Sequence, residues 1–360
     1  MRLSVLDLVS VRSRQTTAEA LAASLALVDA AERLGYERYW FAEHHNMASV
    51  ASTNPAILIA LAAARTERIR LGSGGVMLPN HAALVIAEQF ALLEASAPGR
   101  IDLGLGRAPG SDPVVSAVLS RSGPTTRVDG FPDAVADLIA LLSGEGAQVR
   151  LTSGEEYSLR ATPAAVSLPT TWLLGSSDYS AMLAAQLGLP YVFAHHFAGA
   201  GGGAERAVDL YRSRFQPSEL LDAPRTFVTA SVVVADTAEE AAALALPQLQ
   251  LMARLRTGGK LGPLPTVEEA ATAELTAVQQ EFVDQMRRSS IVGDPASAAT
   301  ALRDLAARFG VDEIMIAPSA SEHEGTAAAS SPARERTLEL LAAEFSVASA
   351  AGASIRSGSI

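Results

Sequence analysis

Short runs of apolar and β-branched residues alternate along this chain with longer stretches of helical period. That alternation is the signature of βα units laid around a parallel sheet, and it leaves few architectures open. Strands are expected at about 3–10, 38–42, 69–76, 101–106, 170–175, 190–195, 226–234 and 312–317. Helices are expected near 17–34, 54–66, 82–96, 131–143, 178–188, 203–215, 237–254, 294–309 and 332–347. Eight strands in that rhythm fit a closed (β/α)8 TIM barrel better than an open doubly wound sheet. No Gly-x-Gly-x-x-Gly turn follows the first strand, which counts further against a dinucleotide-binding sheet.

Two stretches break the rhythm. Residues 107–170, after the fourth strand, hold a loop, a helix and a hairpin pairing Val149–Leu151 with Tyr157–Leu159. Residues 255–293, between the seventh and eighth strands, open on a Gly/Pro-rich loop at 257–265 and continue into a charged helix at about 267–288. A long, glycine-punctuated insertion of this kind is a lid candidate; the competing reading is a surface excursion without catalytic consequence. A chain of 360 residues accommodates both insertions in one barrel domain, 1–347, followed by a flexible tail at 348–360.

Composition narrows function by exclusion. With a formal net charge of −11 and no Lys/Arg cluster, the chain has nothing to neutralise the phosphates of a nucleic acid. No apolar run reaches the roughly 18 residues of a membrane span. Asp7 interrupts the apolar N-terminal stretch, which reads as a first strand and not as a signal peptide. Without cysteine there is neither a disulfide framework nor thiolate chemistry. These features together indicate a soluble cytoplasmic protein. Lys260 is the only lysine among 28 basic residues, a bias that GC-rich codon usage produces.

In an α/β barrel the active site is built where the strands end at their C-termini. The second strand ends in Glu43-His44-His45-Asn46, and the third in Gly74-Gly75 followed by Leu78-Pro79-Asn80-His81. The fourth ends in Gly104-Leu105-Gly106-Arg107, the fifth in Gly175-Ser176-Ser177-Asp178, and the sixth in Ala194-His195-His196. Five of the six histidines thus fall at strand ends on one face of the expected barrel. Arg107 is a forked, permanently charged group suited to a phosphate or carboxylate; its structural alternative is an ion pair with a loop acid such as Asp112. The helix that opens at Ser177-Asp178 offers free N–H groups to an anion, with Ser176, Ser177 and Ser180 as added donors. Plain N-capping by Ser177 is the competing reading, and Asp178 would repel a phosphate set too near.

Glu43-His44-His45-Asn46, the Leu-Pro-Asn-His run, Gly104-Leu105-Gly106-Arg107 and Gly188-Leu189-Pro190 occur in the order found in bacterial luciferase-like flavin monooxygenases. The chain resembles that family closely over 1–110 and more loosely over 165–200 and 290–345. The resemblance implies a reduced-FMN-dependent, two-component monooxygenase that inserts one oxygen atom of dioxygen into an organic small molecule, with a separate flavin reductase as partner. It implies a non-proline cis peptide at Gly74–Gly75 against the flavin ring, where a β-bulge is the structural alternative. It also implies Arg107 at the flavin phosphate, with Gly175, Ser176, Ser177 and Ser180 beside it, and His44 as the acid–base residue. Glu43 is expected to pair with an arginine in the barrel floor, while His45, His81, His195 and His196 are expected around the substrate. Arg127 is the candidate for a second phosphate arginine.

Other functions stay open on the residues alone. Sister families use the same barrel with a deazaflavin for hydride transfer. A metal-dependent hydrolase would use His44, His45, His195 and His196 as ligands, although its usual His-x-His on the first strand is missing, so no metal is expected. A non-catalytic flavin carrier is a further possibility. A tailoring step in antibiotic biosynthesis, on a secondary metabolite such as an aromatic polyketide, is the expected setting. The 54–66 helix is apolar nearly all round, which predicts a homodimer packed through it, with Ile59 facing the partner; cover by the chain's own loops is the alternative.

Overall fold

Eight strands pair parallel in chain order: β1 (Arg2–Asp7), β2 (Arg38–Phe41), β3 (Arg70–Ser73), β4 (Ile101–Gly106), β5 (Thr170–Gly175), β6 (Tyr191–Phe193), β7 (Thr226–Val234) and β8 (Glu313–Pro318). β8 returns to β1, from Arg2 opposite Glu313 to Val5 opposite Ile316, and the cylinder closes. The computed structural model describes residues 1–108, 110–111, 113–121, 128–164, 167–196, 203–259 and 261–356. Asp112 and Arg127 lie outside the described residues.

Local chemistry explains why helices start where they do. Thr16 and Glu19 form a reciprocal capping box before Thr17–Leu34, and Gly35 ends that helix at φ 79°, a conformation L side chains avoid. Asn54 caps the N–H of Ile57, and Pro55 sets the first turn of Pro55–Ala63. Side chains on the outer face of the strands pack against these helices. The interior is plugged by Leu6, Trp40, Trp172, Val192, Phe227 and Met315, with Trp172 and Phe227 rings 4.9 Å apart.

The floor of the barrel is ionic. Arg38, fully buried at the start of β2, donates to Asp102 at 2.6 Å and to Glu313 at 2.6 Å, and Asp102 also receives Arg70 at 2.6 Å. Burial alone would lower the Arg38 pKa, but the two carboxylates hold it above its ordinary value. Buried charges of this kind persist only when fully paired, and these are.

The insertions are more ordered than the sequence indicates. The third strand is split: Gly74–Gly75, joined by a cis peptide, separates β3 from a short strand, Val76–Met77, which pairs with Leu105–Gly106. After β4 come helices Pro113–Arg121 and Phe131–Leu142 and the hairpin, with Val149 opposite Tyr157 as expected. The helix expected at 267–288 is two helices, Val267–Ala271 and Ala277–Ser289, each opened by its own capping box at Thr266 and Thr276. A three-residue strand, Ile291–Gly293, then pairs with Val232–Val234 on the edge of β7 beyond the end of β6. The last helix, Pro332–Arg356, runs past residue 347. Among the described residues no helix is long and apolar enough to cross a membrane.

Candidate active site

The end of β2 carries the central carboxylate. Glu43 is fully buried and accepts from His45 Nε2 at 2.9 Å, His81 Nε2 at 2.8 Å and the Met77 N–H at 3.0 Å. Burial pushes its pKa up, but the hydrogen bonds from His45 and His81 outweigh it and hold the carboxyl at about 2. The expected pairing with a floor arginine is therefore wrong. At about 3.3 Å per residue, Glu43 stands roughly 16 Å along the strand from Arg38, whose charge Asp102 and Glu313 already neutralise. His45 and His81, expected around the substrate, both hydrogen-bond Glu43 and stay partly exposed, and neither lines the apolar cavity described below.

His44, between Glu43 and His45, does not join these hydrogen bonds. Its backbone N–H donates to Ser52 at 2.9 Å, and its Nδ1 is buried with no partner among the described residues. Burial lowers its pKa, with Glu43 opposing, so the ring is neutral at pH 7. His196 lies close enough to feel the His44 charge. Burial drives its pKa down to about 3, and its Nδ1 bonds the Thr229 hydroxyl. His195 does not join them. In the turn after β6, His195 packs edge-on to Phe309, 5.5 Å between centroids, in a separate cavity with Ala204, Ala230 and Arg308. The four-histidine metal reading fails on this divergence, and among the described residues no group of three or more His, Asp or Glu is set to hold a metal.

Across the barrel mouth the backbone is bare. A Cβ at Gly75 would lie 2.7 Å from the Gly104 backbone carbonyl, so that position admits no side chain, and one at Gly74 would lie 2.5 Å from Leu6 Cδ1 and displace it. Arg107 leaves the end of β4 and stacks its guanidinium 4.0 Å from the centre of the Tyr179 ring, in the first turn of helix Asp178–Gln186. Ser177 stands at that helix's N-cap but makes no side-chain capping bond, which leaves the first N–H groups without that partner. Ser176 and Ser177 are exposed beside it. Ser180 differs: its buried hydroxyl donates to the Ser177 carbonyl at 2.9 Å and sits 3.1 Å from Tyr191 Oη. Packed under Gly175, it shapes the turn and is not a free donor. Asp178 is paired with Arg206, which offsets its repulsion of an anion.

An apolar cavity opens at the C-terminal ends of β1, β7 and β8. Leu6, Leu8, Ala317 and Pro318 form its base, and Leu249, Met252, Phe282 and Met286 form its wall. Phe282 and Met286 come from Ala277–Ser289, so the 255–293 insertion walls this cavity. One site feature escaped the sequence. Arg334, from the start of the last helix, reaches the cavity edge and pairs with buried Asp7, which also receives Ser24 and the Tyr39 hydroxyl (2.6 Å). The only signal was a charged residue inside the apolar first strand; its partner lies at the far end of the chain.

A closed α/β barrel with polar groups gathered at the C-terminal ends of its strands is the architecture of a small-molecule enzyme. The sequence profile of luciferase-like monooxygenases matches residues 1–313. The chain is 41% identical over 323 residues to a luciferase-like monooxygenase of Escherichia coli K12, covering 89% of this chain and 92% of that one. It is 40% identical over 343 residues to the protein YvbT of Bacillus subtilis strain 168, covering 94% and 95%. The crystal structure of apo-MsnO8 superposes with a TM-score of 0.78 at 31% identity, over 96% of this chain and 98% of that one. The chain belongs to the luciferase-like monooxygenase family and is a monooxygenase.

Proposed function

We propose that this enzyme binds reduced FMN, supplied by a separate flavin reductase, and oxygenates an organic small molecule with dioxygen. The observation that carries the reading is the meeting of Arg107 with an uncapped helix start, together with the side-chain-free Gly74–Gly75 backbone at the end of β3. The first pair fits a phosphate, and glycine backbone without side chains fits the face of a planar ring. Reduced flavin, when bound, supplies the chemistry that activates dioxygen.

The chain's own residues have distinct tasks. Arg107, Ser176, Ser177 and the first N–H groups of Asp178–Gln186 would hold the phosphate. Gly74, Gly75 and Gly175 keep backbone close to the ring and its tail. His44, neutral and with Nδ1 unengaged, would accept or return a proton in the reaction. Glu43, ionised and gripped by His45 and His81, fixes the loop that carries His44. The helix Ala277–Ser289 excludes water over the apolar cavity.

In this reading the enzyme favours reduced over oxidised FMN, works in the cytoplasm, and tailors a secondary metabolite such as an aromatic polyketide. It acts as a homodimer, with Ile57 and Leu61 of Pro55–Ala63 and Leu92 of the neighbouring helix as the outward apolar surface. The deciding experiment is dioxygen uptake by the protein with chemically reduced FMN across a substrate panel, with products read by mass spectrometry. Incorporation of one atom from labelled dioxygen into a substrate is expected; hydride transfer to a deazaflavin without oxygen incorporation would replace this reading.

A further inference from the structure

We propose that the cavity beside β1, β7 and β8 selects an apolar molecule bearing a carboxylate, and that Arg256 receives that carboxylate. The inference names the substrate class of the site proposed above, and so rests on that reading.

Ala245, Leu249, Met252 and Arg256 follow one another at helical spacing along a single stripe of Ala238–Arg256, and all four line the cavity. The stripe is apolar until its last residue. Among the cavity's lining residues the charged side chains are Arg256 and Arg334, and no aspartate or glutamate is present. Arg334 is neutralised by Asp7 and donates its Nε to the Pro318 carbonyl at 3.0 Å. His196 is held neutral by burial. Arg256, by contrast, makes no ion pair among the described residues. In a chain with a formal net charge of −11, an apolar cavity with no acid in its lining and an exposed, unpaired guanidinium at its rim is a marked local reversal. A cation would be repelled there, whereas a carboxylate whose apolar body fills the cavity would meet the guanidinium at the rim. The amides of Gln248 and Gln285 also line the cavity and suit the second oxygen of a carboxylate, for which a planar fork is the matching donor.

The test measures binding to the flavin-free protein by calorimetry, with octanoate and octan-1-ol as matched probes. Wild type is expected to bind octanoate at least tenfold more tightly than octanol. Arg256→Gln should weaken octanoate about tenfold or more, the scale of one lost charge-assisted hydrogen bond. Octanol binding should stay unchanged, and Arg256→Lys should recover part of the loss. Arg254→Gln, on the same helix but outside the cavity, should bind like wild type. Equal affinity for the two probes, no binding of either, or an Arg256→Gln variant that keeps octanoate affinity would overturn the proposal. Because no flavin is present, carboxylate selectivity without later oxygenation would count against the monooxygenase reading alone. Oxygenation of substrates lacking a carboxylate as efficiently as those bearing one would count against this inference alone.

Discussion

Replacing Glu43 with glutamine tests the central claim about the strand-two site. The substitution preserves shape but removes the charge that His45 and His81 both address. A glutamine oxygen is a weaker acceptor, and its amide turns a donor toward whatever meets it. Glu43 titrates at about 2 in the fold against an ordinary value of 4.5. That difference corresponds to about 3 kcal/mol of stability at neutral pH, as an order of magnitude. The sign follows from the depressed value: the contribution is full above pH 4.5 and fades as pH falls toward 2, with roughly half gone by pH 3. Urea unfolding of wild type and Glu43→Gln at pH 7, 4 and 3 should show a gap that is widest at pH 7 and narrows toward pH 3. A gap below about 1 kcal/mol at pH 7, or one that does not narrow with acid, would refute the account of Glu43 as an ionised anchor.

Three further outcomes are expected. His44→Ala should leave the unfolding midpoint near wild type but slow turnover about 10²–10⁴-fold, the usual cost of one acid–base group; unchanged turnover with a known substrate would remove His44 from the mechanism. Since burial lowers the His44 pKa below 6.5, wild-type rate should hold on acidification through pH 6.5 and fall only below it, a limb that His44→Ala lacks. Arg107→Gln should weaken reduced FMN by about tenfold or more in anaerobic titration, with folding unaffected, because the side chain's contact is with the exposed Tyr179 ring. Ile57→Arg should yield monomers by light scattering with a normal circular dichroism spectrum, whereas Ile59→Arg should fail to fold. Ile57 is 60% exposed and Ile59 is fully buried, so Ile59 cannot face a partner as expected and Ile57 is the side chain available to do so. A monomeric wild type would end the dimer reading.

Period and punctuation in the sequence determined the barrel and where several of its helices start. The Thr16–Glu19 box, Asn54-Pro55 and Asp294-Pro295 act on their own backbone within one turn, so they can be read locally. The gathering of Glu43, His44, Gly74, Gly75, Arg107 and Ser176 at one end was legible too, because a parallel barrel sends every strand's C-terminus to the same face. The sequence could not tell which neighbour each of these side chains would meet. Glu43 found His45 and His81 instead of a floor arginine, and His195 turned away from His196. Helix Pro55–Ala63 is so uniformly apolar that its sequence carries no sign of which face is buried. The Asp7–Arg334 pair joins residues 327 apart. These outcomes depend on side-chain direction and on charge compensation across strands distant in sequence, and such long-range contacts exist only once the cylinder has closed.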